Sequence, residues 1–220
     1  MLRLGGCRQS CHMRRVTQML KKIRECESGV ALIEFALSLP IFVFAVMGGM
    51  ELAWEAITRQ QIQKIAATTA DNAARVRGVI DETDIHEIIT AARLNGEDLE
   101  LEERGRLIIS SFQRNSDNDG NWIRWQRCFG EMEHESQYGE QGDGRRDDSI
   151  QGLNGDPDMN PPPGVALMVA EIVYKHKPLI TDKYFGERTF RYQTAFIVRD
   201  RNDLSIGNVT NLPSRSILSC

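Results

Sequence analysis

Several signatures of an enzyme are missing from this chain. It has no Gly-x-Ser-x-Gly elbow and no phosphate-binding glycine loop, which removes the usual sequence grounds for a serine hydrolase or an NTPase. His86-Glu87-Ile88-Ile89-Thr90 starts like a zinc-protease helix but has Thr90 where the second ligand belongs. His86 therefore reads as a polar residue on a short helix. Cys7, Cys11 and His12 lack the further ligands that a zinc site needs. Asp117, Asp119 and Gly120 resemble part of a calcium loop, yet the closing glutamate would fall on Cys128, so a turn is the better reading. No catalytic residue, metal ligand or cofactor follows from any of these. Basic charge is also missing from most of the chain. Residues 1–27 carry seven Lys/Arg against two acids, and since the whole chain is −4 the remainder holds −9. An acidic bulk without a basic stripe argues against nucleic acid as a partner.

What the chain does have is a long apolar run. Residues 30–50 are interrupted by one charge, Glu34. A membrane span needs about 20 residues, so the run fits a single transmembrane helix. A buried core helix is the soluble alternative, but uninterrupted runs of this length are uncommon in soluble domains. A secretory signal is the other rival. Its apolar core would be about 7–15 residues and would end at a small-x-small site, and the stretch from Val46 to Glu51 offers none. Basic residues precede the run and acids follow it, so the positive-inside rule puts the N-terminus in the cytoplasm and the rest outside. The reading is a basic cytoplasmic leader at 1–29, a transmembrane helix at 30–50, and an extracytoplasmic domain at 51–220, with the lipid bilayer as one partner. Glu34 lies about one turn into the span. A charge there faces a partner or snorkels to the headgroups, and both stay open.

The cysteines divide at the same boundary. Cys7, Cys11 and Cys26 fall on the reducing side, Cys128 and Cys220 on the oxidising side. The outer two make one disulfide available, with two free thiols as the alternative. Closing so long a loop contributes roughly 4–5 kcal/mol in the chain-entropy model.

Beyond the span the helical rhythm continues to residue 77 without Gly or Pro, and Ile62, Ile65, Thr69, Ala73 and Val76 form one stripe. A continuous helix over 30–77 would be roughly 70 Å long, kinked by Pro40 and softened at Gly48-Gly49. Gly78 stops it. Asp81 or Thr83 caps a short second helix with Ile85, Ile88, Ile89 and Ala92 on one face, and Asn95-Gly96 ends it. Four strands follow, at residues 106–113, 121–129, 165–175 and 187–199. The first two flank a turn over residues 115–120. The third is apolar on both faces, as a central strand is. In the fourth, Phe190, Tyr192, Phe196 and Val198 alternate with Thr189, Arg191 and Gln193. Trp125 shares a strand face with Ile123 and belongs in the core, whereas Trp122 faces outward. Residues 130–164 are polar, end in a triple proline, and read as a flexible surface loop. The expected class is α+β: one N-terminal transmembrane helix continuing into a long projecting helix that packs on a small antiparallel sheet.

The stretch Glu27-Ser28-Gly29-Val30-Ala31-Leu32-Ile33-Glu34-Phe35-Ala36-Leu37-Ser38-Leu39-Pro40 resembles the start of TadE-like proteins, minor pilin-like components of bacterial tight-adherence (Tad/Flp) pilus machinery. Tyr174-Lys175-His176-Lys177-Pro178-Leu179 is similar to an aromatic-rich segment of that family, with His176 where an aromatic is usual. Arg199 to Leu204 and the terminal cysteine add to the likeness. The resemblance implies a non-enzymatic, inner-membrane protein acting in pilus biogenesis and surface adherence. Its partners would be other Tad components and pilin-like subunits, met through the membrane helix. It further implies cleavage by a prepilin peptidase after Gly29, which would leave Val30 as the new N-terminus and Glu34 as a partner for its ammonium group or a neighbour's. Some family members keep the helix as an ordinary anchor. A membrane-tethered binding or sensor domain of the same topology, unrelated to pili, is the alternative function.

Overall fold

The structure is a computed structural model that describes residues 27–115, 120–150, 152, 160–180 and 186–220. Most of the basic leader, with Cys7, Cys11 and Cys26, lies outside the described residues, as do Asp117 and Asp119 of the turn. Two compact units divide the chain, Met1–Leu52 and Ala53–Cys220.

Helix α1, Glu27–Arg75, is continuous through Pro40 and includes the three residues before the expected start. Its first half, in the N-terminal unit, is taken up below. In the C-terminal unit, Ile62, Ile65, Ala66, Thr69, Ala70, Ala73 and Ala74 are all buried. They recur at 3–4 spacing, so one stripe of the helix faces the core. Small alanines on that stripe let the helix approach the sheet closely.

After Gly78, which takes a left-handed φ of +75°, strand β1 (Ile80–Asp81) leads into helix α2 (Glu82–Asn95). Of the two caps the sequence offers, Asp81 rather than Thr83 caps α2, in a full capping box: its carboxylate accepts from Thr83 N–H while Asp84 accepts from the Asp81 N–H. A single 3-10 turn and the short helix α3 (Leu101–Arg104) then reach the sheet.

The sheet contains β2 (Gly105–Arg114), β3 (Asn121–Phe129), β4 (Ala166–His176) and β5 (Arg188–Ile197). All pairings are antiparallel and the order is β3-β2-β4-β5. β4 is central, as its two apolar faces require. A two-residue strand, β6 (Ile206–Gly207), pairs in parallel with β1; two residues carry no sequence period, so neither strand was legible beforehand. The class is α+β, with α1 and α2 on one face of the sheet.

That face holds the main core. Leu107, Ile109, Trp125, Met168, Ala170, Ile172, Tyr174 and Phe190 pack with the α1 stripe and with Ile85, Ile88 and Ile89 of α2. Each fully buried aliphatic or aromatic side chain contributes about 1.5–3 kcal/mol. The opposite face holds a smaller cluster, Phe112, Ile123, Ile150, Leu167 and Val169, with Tyr138 edge-on to Phe112.

One expectation about β3 fails. Trp125 is buried, but it does not share a face with Ile123: Trp125 belongs to the main core and Ile123 to the opposite cluster. The cause is a register shift between Ser111 and Phe112. Ser111 pairs with Trp125 while Phe112 pairs with Ile123, so Arg124 is an extra, bulged residue. A bulge inverts the alternation beyond it.

Residues 130–150 form no strand, yet they are tied to the sheet. Gly142 N–H donates to Ile123 O and Ile123 N–H to Asp143 O, which covers the outer edge of β3. On the sheet's outer face the buried Glu171 carboxylate accepts from Gln137 N–H, 3.0 Å away, and from Ser136 Oγ. Burial pushes the Glu171 pKa up, and these hydrogen bonds offset part of that rise.

Candidate functional site

The first half of α1 presents a largely exposed apolar surface. Its most apolar 18-residue window has a mean hydropathy of 2.4, and none of it is buried. Val30, Leu32, Ile33, Phe35, Leu37, Ile41, Phe42 and Phe44 are exposed on every side of the helix. A soluble unit would bury such a surface. One N-terminal apolar helix of this kind suggests single-pass membrane anchoring.

Glu34 sits within this surface. It is exposed and has no hydrogen bond or ion pair among the described residues. In an α-helix, residues i and i+4 stand one turn apart on the same face, so Val30 and Glu34 are neighbours along α1. Gly29 lies two residues inside the N-terminal end of the helix. Its backbone does not require glycine: φ is not left-handed, and an added Cβ would meet nothing within 4 Å. The same holds for Gly48 and Gly49, where a Cβ also meets nothing. Glycine inside a helix costs about 0.5–1 kcal/mol relative to alanine, and this chain's own packing gives nothing back at these three positions. Gly130 and Gly144 differ. Both have positive φ, and a Cβ would come within 2.2 Å of Gly105 O and 2.0 Å of Asn121 O, respectively.

Residues 29–75 match the family described as TadE-like protein. The chain therefore carries a TadE-like domain. The match spans the apolar half of α1 and its buried continuation, and it includes Gly29, Val30 and Glu34. No curated protein and no solved structure matches the chain. The second stretch of resemblance, Tyr174 to Leu179, lies beyond the matched residues, and its geometry is structural. Tyr174 Oη donates to Leu99 O at 2.8 Å, and the His176 ring stacks on Phe190 with centroids 5.2 Å apart. His176 thus packs here as a flat ring against Phe190. Trp54, just past the TadE-like domain's apolar half, donates its indole N–H to Lys177 O.

The C-terminal unit anchors α1 firmly. Arg188 of β5 donates to both oxygens of Glu55, at 3.1 and 2.8 Å, and Arg59 binds the same carboxylate one turn on. The Arg59 guanidinium also stands 4.6 Å over the Phe190 ring. This contact set was missed from sequence, because a Glu–Arg pair separated by more than a hundred residues leaves no local pattern.

Cys128 and Cys220 form a disulfide, with Cα atoms 5.0 Å apart. It ties the C-terminal segment to edge strand β3, where Cys128 N–H also donates to Leu218 O at 2.7 Å. His86 joins the same segment to α2 through Nε2 and Ser216 O, 2.8 Å apart. Among the described residues no group of three His, Cys, Asp or Glu side chains is placed to hold a metal ion.

Proposed function

We propose that this chain is a membrane-anchored, pilin-like component of a Tad/Flp-type pilus assembly system. Residues 1–29 act as a cytoplasmic leader, residues 30–50 cross the bacterial inner membrane, and residues 51–220 form the extracytoplasmic domain. The role is structural: the protein works by helix–helix contacts in the membrane with other pilin-like subunits and Tad components. The observation that carries this reading is the TadE-like match over residues 29–75, joined to a bare apolar helix that keeps Glu34 unpaired. The charge asymmetry across the apolar run supports the orientation, and the disulfide suits an oxidising compartment.

The reading includes processing after Gly29. Cleavage there would create an ammonium group at Val30, one helical turn from Glu34 of the same chain and equally open to Glu34 of a neighbour. A charge pair formed across subunits sets the axial register between helices. Because Gly29 lies within α1, the peptidase must unwind the helix around it, and Gly29 lowers the cost of that step. N-terminal sequencing of membrane-extracted protein tests this directly. The chain should begin at Val30 in cells with an active prepilin peptidase and at Met1 in cells without one. A start at Met1 in both sinks the processed form, and full surface piliation in cells lacking the gene sinks the assembly role.

A further inference from the structure

Four arginines share one shallow cleft in the C-terminal unit. Arg114 ends β2, Arg124 is the bulged residue of β3, and Arg145 and Arg146 lie on the returning segment; Gln113, Asn115 and Trp122 complete the lining. No carboxylate among the described residues lines it. The Arg145 and Arg124 guanidiniums stand over the Trp122 ring, 5.4 and 6.0 Å from its centroid. Arg124 also donates to Gln113 Oε1 and lies 3.9 Å from Asp203, and Arg114 donates to Pro161 O. Arg145 and Arg146 are exposed and have no ion pair among the described residues. Backbone shape presents them: Gly144 just before them takes φ +73°, where only glycine clears Asn121 O. Arg145 and Arg146 thus present two adjacent positive charges to solvent beside the Trp122 ring, and an incoming anion is attracted to both.

The same unit offers a matching anion. Past the end of β3, Glu131, Glu133 and Glu135 are exposed, while Met132, His134 and Ser136 between them turn inward. The segment is held at both ends. Glu131 N–H donates to Glu102 O at 2.7 Å and Met132 N–H to Gly105 O at 3.3 Å, while Glu171 holds Ser136 and Gln137. The three exposed carboxylates therefore sit on one short segment that is tethered at both ends. None of the three glutamates has an ion pair among the described residues. Trp122 marks the start of β3 and Glu131 follows its end, which sets cleft and row roughly 25–30 Å apart along the strand.

We infer that the arginine cleft receives the Glu131–Glu133–Glu135 row of a second copy of this chain. The contact joins two different patches, so it is heterologous, and repetition gives an open head-to-tail array. An acidic glycan is the other anion such a cleft could take. The Trp122 face that a sugar ring would stack on is already covered by guanidiniums, which favours the protein row. The inference rests on the assembly reading above and gives it a contact outside the membrane.

Charge swapping tests it with the full chain in detergent micelles at low salt, read by sedimentation velocity. One variant carries Arg145→Glu and Arg146→Glu; the other carries Glu131→Arg and Glu133→Arg. All four positions are exposed, and circular dichroism with an intact disulfide verifies the fold. Each variant alone should associate at least about tenfold more weakly than the parent chain. An equimolar mixture should recover parent-like association, because each cleft then meets a row of opposite sign. Unchanged self-association of either variant, or a mixture that fails to recover, overturns the inference. Binding of a polyuronate that the arginine variant loses, with self-association unchanged, reassigns the cleft to an acidic glycan and also overturns it. If the swap fails while filaments still require Glu34, this contact falls and the assembly reading stands.

Discussion

Glu34 and Glu55 occupy the same helix and meet opposite surroundings. Glu55 is held by Arg188 across the unit and by Arg59 one turn on. Glu34 is exposed among apolar side chains and has no partner among the described residues. The glycines divide the same way. An added Cβ at Gly29, Gly48 or Gly49 would meet nothing among the described residues, whereas Gly130 and Gly144 are required by close backbone contacts. One half of α1 is therefore specified by intramolecular packing. The other half carries costly features that this packing does not use, which is the pattern expected of a surface whose partners are other molecules.

The sharpest way to break this contrast is to attack the C-terminal unit where it is most tightly tied. Arg127 Nε binds both oxygens of Glu82 at 3.2 and 3.0 Å, and the pair is buried at the N-terminus of α2. Glu82→Ala leaves the Arg127 charge buried without its counter-ion and should cost about 3–5 kcal/mol, measured by urea unfolding. A loss under about 1 kcal/mol would mean that this pair adds little to the unit. Cys220→Ser comes next. Removing this cross-link between β3 and the C-terminal segment should cost about 2–4 kcal/mol and raise protease cleavage near residue 217, while leaving membrane extraction unchanged.

Asp81 gives a smaller effect with a defined pH signature. Val209 N–H at 2.6 Å and Thr83 N–H at 3.1 Å hold its carboxyl below the ordinary value of 3.8, with Val209 the larger cause. A depressed pKa stabilises the fold fully above the ordinary value. That stability is lost as pH falls through the native value. Asp81→Asn keeps a capping oxygen but exchanges charge-assisted hydrogen bonds for neutral ones, which should cost about 1 kcal/mol at neutral pH and flatten the acid limb of the stability profile. A parallel downward shift of the whole profile would contradict the assignment.

The sequence made the periodic parts of the fold legible. The α1 stripe, the Asp81 cap and four strands within a residue or two of their bounds all follow from spacing and capping chemistry. What stayed hidden was non-periodic. The β1–β6 pair is two residues long, and the Arg124 bulge inverts an alternation that counting from Ile123 cannot detect. The arginine cleft needed both that bulge and the Gly144 turn to bring Arg124 and Arg145 to one ring. At the candidate site, Glu34 and Gly29 were legible because they break the rules of an apolar helix. Under the proposed function their partners are other molecules, which no spacing within this chain specifies.

The central claim is that the first half of α1 acts between molecules. Glu34→Ala in the full-length protein, expressed in its own cells, tests it most directly when surface filaments are counted beside the thermal unfolding midpoint of the purified chain. The account predicts an unchanged midpoint and a loss of surface filaments. Filaments at the parental level with Glu34→Ala would contradict it.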